Sequence, residues 1–281
     1  MTLIKTALAA FSISVNPVLA GQIEKIASAG GDITEILFEF GVGDKVVAAD
    51  TTSIFPEVVN SLPRVGYVRE LSAEGVLATG ADLLIGSDDM GPPAVMDNLA
   101  AAGMRIEFVA EGEGAARYTD KVKFIGDVLD MPERGEELVA AYMASLDAVQ
   151  ARVDALPRAP RAMLILSVRD GAPIVAGTNT TGNDIIEISG GENIATFEGW
   201  KPMNAEAIIA SAPEIIILST SHIERLGGLD VVMGRADIGA TPAGGEKSYV
   251  ALSPQLMLQF GPRSPLAMND LVDAFENVVA N

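Results

Sequence analysis

Tyr67 and Arg69 stand one residue apart in the run Val65-Gly66-Tyr67-Val68-Arg69. A guanidinium beside a phenol favours the phenolate, because a nearby cation stabilises the charged form and can donate a hydrogen bond to it. Taken alone, a tyrosine in such a run is ordinarily half-buried packing, and Arg69 is as readily a surface partner for Glu70. Most other chemistries fall to simple counts. The chain has no cysteine, which removes disulfides, thiolate metal sites and a cysteine nucleophile. It has one histidine, His222, which removes a multi-histidine zinc or iron site. No G-x-S-x-G serine elbow and no G-x-x-x-x-G-K-[ST] phosphate loop occurs, and Gly30-Gly31 in GGDITE lacks the spacing of G-x-G-x-x-G. The residues suit a binding site better than an enzyme.

Two carboxylates, Glu74 and Glu206, occupy matching places in a duplicated segment. Leu71 to Ser87 reads LSAEGVLATGADLLIGS, and Met203 to Ser219 reads MNAEAIIASAPEIIILS. Without a gap, Glu74 falls on Glu206, Asp82 on Glu214, and Leu83-Leu84-Ile85 on Ile215-Ile216-Ile217. Each copy opens with a helix-start residue, Ser72 or Asn204, followed early by a glutamate that the helix dipole favours. Apolar residues at helical spacing follow, then a break at Gly80 or Pro213, then a buried-strand run. One αβ unit used twice predicts two similar lobes.

The elements around these copies alternate. Gln22 to Ala27 is a strand candidate, Ile33 to Phe40 a helix closed by Gly41, Val46 to Ala49 a strand, and Val65 to Arg69 a loop. Pro92-Pro93 starts a helix and Arg105 to Val109 forms a strand. From Tyr118 to Leu156 no strand is expected. Leu138, Tyr142, Leu146, Val149 and Val153 recur at steps of three or four, which predicts one long helix from Pro132, ended by Pro157 and Pro160. Strands resume at Ala162 to Val168 and Pro173 to Ala176, with a helix over Asn183 to Gly190, a strand at Ser248 to Leu252 and a last helix beyond Pro262 or Pro265. The predicted fold is α/β: two Rossmann-like lobes with parallel sheets, joined by one long rigid helix, with a ligand cleft between them. The expected boundaries are 21–131 for the first lobe, 132–157 for the connecting helix and 158–281 for the second lobe.

The 281 residues carry 19 basic and 38 acidic side chains, a formal charge of −19. That balance repels phosphates and argues against nucleic-acid binding, and it also serves solubility. Residues 1–20, MTLIKTALAAFSISVNPVLA, have a thin positive start at Lys5, an apolar stretch and a small-residue exit. This pattern predicts a secretory signal cleaved after Ala20. No later segment has the apolar length of a membrane span, so stable membrane insertion is not expected. A free, exported, cysteine-free monomer in a Gram-negative periplasm fits these features.

Several segments carry a family resemblance over essentially the whole mature chain. They are SAGGDITEILFEFG (Ser28 to Gly41), LPRVGYVRELSAEGVLA (Leu62 to Ala78), Gly91-Pro92-Pro93, GWKPMNAEAIIASAPEIII (Gly199 to Ile217) and LQFGPRSP (Leu258 to Pro265). In these the chain resembles the periplasmic substrate-binding proteins of haem ABC transporters, within the group that also binds cobalamin and iron–siderophore complexes. The Gly-Tyr-x-Arg run joined to LSAEG is the specific part. The resemblance implies that ferric haem b is the transported ligand, delivered to a permease and its ATPase. It implies Tyr67 as the axial iron ligand, with Arg69 holding the phenolate or meeting the propionates. Some relatives have a second haem-facing histidine in the C-terminal lobe. The matching stretch here, Ser167-Val168-Arg169-Asp170-Gly171, has none, which leaves His222 as the candidate second ligand, or else a polar helix or loop residue. Tyr249, Met257 and Arg169 are further cleft candidates without a motif. The resemblance also implies that Glu74 and Glu206 dock onto arginines of the permease, although the helix dipole alone accounts for a glutamate at either place. Rival readings are a cobalamin or ferric-siderophore carrier of the same fold, an enzyme of unknown reaction, and a self-contained interaction module.

Overall fold

A computed structural model describes the chain over residues 23–280, so the export signal expected over residues 1–20 lies outside the described residues. The first half contains β1 (Ile26–Ala29), α1 (Gly31–Glu39), β2 (Val46–Ala49), β3 (Gly66–Tyr67), β4 (Glu70–Leu71), α2 (Ala73–Ala78), β5 (Leu83–Ser87), α3 (Pro93–Ala101), β6 (Arg105–Val109) and α4 (Ala116–Val128). Four strands make a parallel sheet in the order β2-β1-β5-β6. The inner strand β5 is sealed on both faces, which explains its unbroken Leu83-Leu84-Ile85 run. β1 begins later than the Gln22 to Ala27 run suggests. The amides of Glu24 and Lys25 donate to the Asp82 carboxylate at 3.1 and 3.0 Å and do not join the ladder.

α5 (Pro132–Val153) is the long helix, 22 residues with proline in its first turn. It buries Leu138, Tyr142, Leu146 and Val149. The second half contains β7 (Arg161–Arg169), β8 (Ala172–Ala176), α6 (Thr181–Ile188), β9 (Glu192–Asn193), β10 (Trp200–Pro202), α7 (Ala205–Ser211), β11 (Ile215–Ser219), α8 (Thr220–Arg225), α9 (Leu229–Met233), α10 (Ala236–Gly239), α11 (Pro242–Glu246), β12 (Tyr249–Leu252), α12 (Pro254–Leu258) and α13 (Ser264–Ala280). Its sheet runs β10-β8-β7-β11-β12, with β9 also on β7. The two-lobed α/β architecture holds. The second sheet is not purely parallel, because β8 returns antiparallel on β7 through the tight turn at Asp170 and Gly171, both left-handed.

The sequence duplication is a structural one. Ser72 accepts from the Gly75 amide at 3.0 Å, and Asn204 accepts from the Ala207 amide at 2.8 Å. Each helix closes on a left-handed residue, Gly80 in one copy and Ala212 in the other. Asp82 caps the start of β1, and its counterpart Glu214 accepts from the Arg161 amide at the start of β7 at 2.9 Å. β5 and β11 are the matched inner strands. One large hydrophobic cluster runs through both halves, from Ile33, Leu83 and Ile125 through Tyr142 and Leu146 to Leu164, Ile217 and Phe275. α13 packs on α5, so the chain's last helix closes over the connecting one.

Candidate functional site

Parallel α/β sheets place ligand-facing loops at the carboxyl ends of their strands. Tyr67 and Arg69 are held at that edge of the first sheet. The residues from Gly66 to Leu71 form a small antiparallel hairpin rather than the expected loop, with Tyr67 opposite Glu70. Gly66 sits at φ +109, and a Cβ there would meet the Glu70 carbonyl oxygen at 2.6 Å, so only glycine fits. The hairpin is tied to the loops that leave two strands. The Thr51 amide, beyond β2, donates to the Gly66 carbonyl at 2.8 Å. Beyond β5, the Gly91 amide donates to Val68 and its carbonyl accepts from Leu71, at 3.0 and 2.8 Å.

The Tyr67 side chain is 41 % exposed, and its hydroxyl has no hydrogen-bond partner among the described residues. Arg69 does not donate to it. Its Nε and Nη2 reach Asp89 Oδ2 at 2.6 and 2.5 Å, and Ser87 donates to the other Asp89 oxygen. The Asp89 hydrogen bond is the largest influence raising the Arg69 pKa, and the field of Tyr67 also contributes. The two side chains therefore share one electrostatic neighbourhood without touching. Asp89 was not visible as a site residue from the sequence, since it lies 20 positions away and no spacing rule links the two. Near the hairpin, the segment after β2 exposes Ile54, Phe55 and Val58.

His222 follows β11, at the corresponding edge of the second sheet, on the short helix α8. Its ring is 4 % exposed, and neither nitrogen has a hydrogen-bond partner. Burial pushes its pKa below the ordinary histidine value, and Arg225 and Arg235 add to the shift. A bond from His222 to a cleft ligand would require the ring to leave this buried position. The structure does not bring His222 together with Tyr67 by any described contact. Met257 is fully buried in the core, and Tyr249 opens β12 at the amino end of the sheet, away from the ligand edge. Arg169 is exposed at the carboxyl end of β7.

Glu74 and Glu206 are exposed in the first turns of α2 and α7, and neither has an ion-pair or hydrogen-bond partner among the described residues. Two open depressions lie at the junction of the lobes. One of about 190 Å³ is walled by Phe38, Phe55, Pro56, Pro262 and Arg263, and Tyr67 does not line it. The junction itself is ionic. Arg263 grips Glu35 at 2.5 and 2.7 Å and stacks over Phe55. Arg117 of α4 reaches Asp184 of α6 at 2.7 Å. Behind this contact, within the first lobe, the buried Lys121 holds Asp32 at 2.6 Å and Glu111 at 2.8 Å. Among the described residues no cluster of acidic or histidine side chains could hold a bare metal ion, and no helix is long and apolar enough to cross a membrane.

Comparison with known proteins sets this geometry in context. Among solved structures, the periplasmic heme-binding protein RhuT from Roseiflexus sp. RS-1, in apo form, superposes with a TM-score of 0.88 at 32% identity, over 92% of this chain and 99% of that one. A periplasmic heme-binding protein from Pseudomonas aeruginosa gives 0.79 at 33% identity, over 91% and 93%. Among curated sequences, the vitamin B12-binding protein of Vibrio vulnificus is 25% identical over 99% of this chain and 98% of its own length. The family model described as periplasmic binding protein matches residues 26–256. That span takes in both sheets and the hairpin that presents Tyr67, and the chain accordingly belongs to the periplasmic binding protein family.

Proposed function

We propose that this protein captures ferric haem in the crevice between its lobes and hands it to an ABC permease with its ATPase, from a periplasmic location. The observation that carries the reading is the presentation of Tyr67: a half-exposed phenol with a free hydroxyl, on a hairpin pinned at two points to the ligand edge of the sheet. A phenolate is a hard oxygen donor suited to ferric iron. The segment after β2, tied to the hairpin through Thr51, exposes Ile54 and Val58 as apolar surface for a porphyrin face. The heme-binding neighbours at 32 and 33% identity support haem over cobalamin. Arg69 and Arg169 are the cations available to the propionates. Tyr67 is the protein's iron ligand, and His222 joins it only if its ring swings out of the lobe. The protein makes and breaks no covalent bond in the ligand.

The test is a hemin titration of the mature protein followed by visible spectroscopy. The parent is expected to saturate with a band typical of phenolate-bound ferric iron. Tyr67→Phe loses that band and at least about tenfold in affinity, the scale of one charge-assisted contact, while His222→Ala keeps both. Retention of the band in Tyr67→Phe ends the assignment. A second reading, a cobalamin carrier, is favoured by the sequence relative at 25% identity over nearly the whole chain. Saturable binding of cyanocobalamin without response to hemin would establish it.

A further inference from the structure

Scattered apolar side chains on a surface are ordinary, and a single one needs no explanation. Leu77 on α2 and Ile209 on α7 are not scattered. They are 44 % and 41 % exposed, and they hold the same place in the two copies of the duplicated unit. Each lies three residues beyond the unpaired glutamate of its helix, so carboxylate and apolar side chain share one face. The exposed Ala78 and Ala210 extend that face, while Val76 and Ile208 point into the core. Capping does not account for the glutamates, because Ser72 and Asn204 hold the cap positions and neither glutamate accepts from a backbone amide among the described residues. The helix dipole favours a glutamate there, yet it gives no reason for an exposed leucine or isoleucine one turn later.

Each helix leads directly into an inner parallel strand and runs back along it. Its first turn therefore stands level with the strand's carboxyl end, the edge where Tyr67 sits. Two like faces, each a carboxylate beside an apolar side chain, thus start at the ligand edges of the two sheets.

We propose that Leu77 and Ile209 are the apolar anchors of one docking surface. Its occupant is a transport permease whose two equivalent halves each offer a basic side chain beside an apolar recess. The inference rests on the transport reading above. Duplication of the face calls for a partner that carries the complementary feature twice. The unpaired carboxylates, on a chain of formal charge −19, call for a cationic partner surface. A second copy of this chain would set like charges against each other and is disfavoured. In this division of labour the glutamates steer and orient the encounter, and the buried apolar anchors slow dissociation.

The test measures binding of the hemin-loaded protein to the haem permease–ATPase complex of the same cells, in phosphatidylcholine nanodiscs, by interferometry at low and high salt. A hemin titration of every variant runs beside it. The double variant L77N/I209N is expected to weaken docking about tenfold or more, mostly through faster dissociation, as loss of two buried apolar side chains implies. Its salt dependence and hemin binding stay as in the parent, and L77M/I209M restores docking. E74A/E206A weakens docking and flattens the salt dependence. V231N, at an exposed apolar position outside the duplication, changes nothing. If L77N/I209N docks like the parent while E74A/E206A fails, the anchors are wrong and the transport reading stands. If V231N weakens docking as much as the double variant, the anchors are equally refuted. If the loaded parent does not bind the complex at either salt concentration, inference and transport reading fall together.

Discussion

Asp89 decides how much of the Arg69 charge Tyr67 feels. The guanidinium spends its best hydrogen bonds on that carboxylate, which offsets its field at the phenol. Asp89→Ala releases the guanidinium to meet a bound anion instead, so hemin affinity is expected to rise. Both partners are substantially exposed, so the gain is at most about a few-fold and shrinks with added salt. Hemin titrations at two ionic strengths measure it. His222 makes a prediction of opposite character, on stability. Its folded pKa is depressed below the unfolded value of about 6.5. The unfolded chain therefore takes up the proton first as pH falls, and the stability this residue contributes above about pH 6.5 is lost on acidification. Urea midpoints of the parent should drop between pH 7 and pH 5 by more than those of His222→Leu. Parallel curves would show that the ring is not buried in neutral form.

At the scale of elements, the αβ copies were legible because each signal in them is local. A cap residue, helical spacing and a buried run fall within seventeen consecutive residues. The same comparison exposes a weak point. Ala212 occupies the left-handed position that glycine fills in the first copy. Ala212→Gly relieves that strain and is expected to raise stability by up to about 1 kcal/mol, less the extra freedom that glycine gives the unfolded chain. Chemical denaturation reads the change, and a loss of about 1 kcal/mol or more, the full cost of glycine with no strain relieved, would refute the left-handed placement. The hairpin that carries Tyr67 was not legible. Two-residue strands have no periodicity, and their pairing depends on Thr51 and Gly91, far away in sequence. α4 was hidden for another reason. It buries Arg117 and Lys121 beside Tyr118, Val122 and Ile125, so charged residues stand where a helical pattern expects apolar ones. Only their partners Asp184, Glu111 and Asp32 make that burial tolerable. The short β9 and β10 likewise rest on contacts that no single window contains.

For the whole molecule, the ionic junction and the common hydrophobic cluster act together. Lys121, inside the first lobe, backs that junction: it is 1 % exposed between Asp32 and Glu111, and Glu111 also holds the Arg117 that crosses to Asp184. Lys121→Met keeps the packing of its stem but strands the buried carboxylate of Asp32. The expected cost is about 3–5 kcal/mol, the usual penalty for breaking a buried pair from one side. Asp32→Asn added to Lys121→Met should recover part of it. A loss of under about 1 kcal/mol in urea unfolding would mean that water reaches the pair and screens it. Because apolar residues of both sheets meet around α5, thermal melting should be a single transition, with calorimetric and van't Hoff enthalpies equal.

That common interior also bears on how cargo leaves. Jaws hung on a loose joint can gape on their own and spill what they hold. Here the joint is the centre of the protein, and prising the halves apart would tear open its interior. Emptying the crevice then calls for outside work, applied at the rims by whatever machine the loaded protein meets, so unloading and delivery become one event.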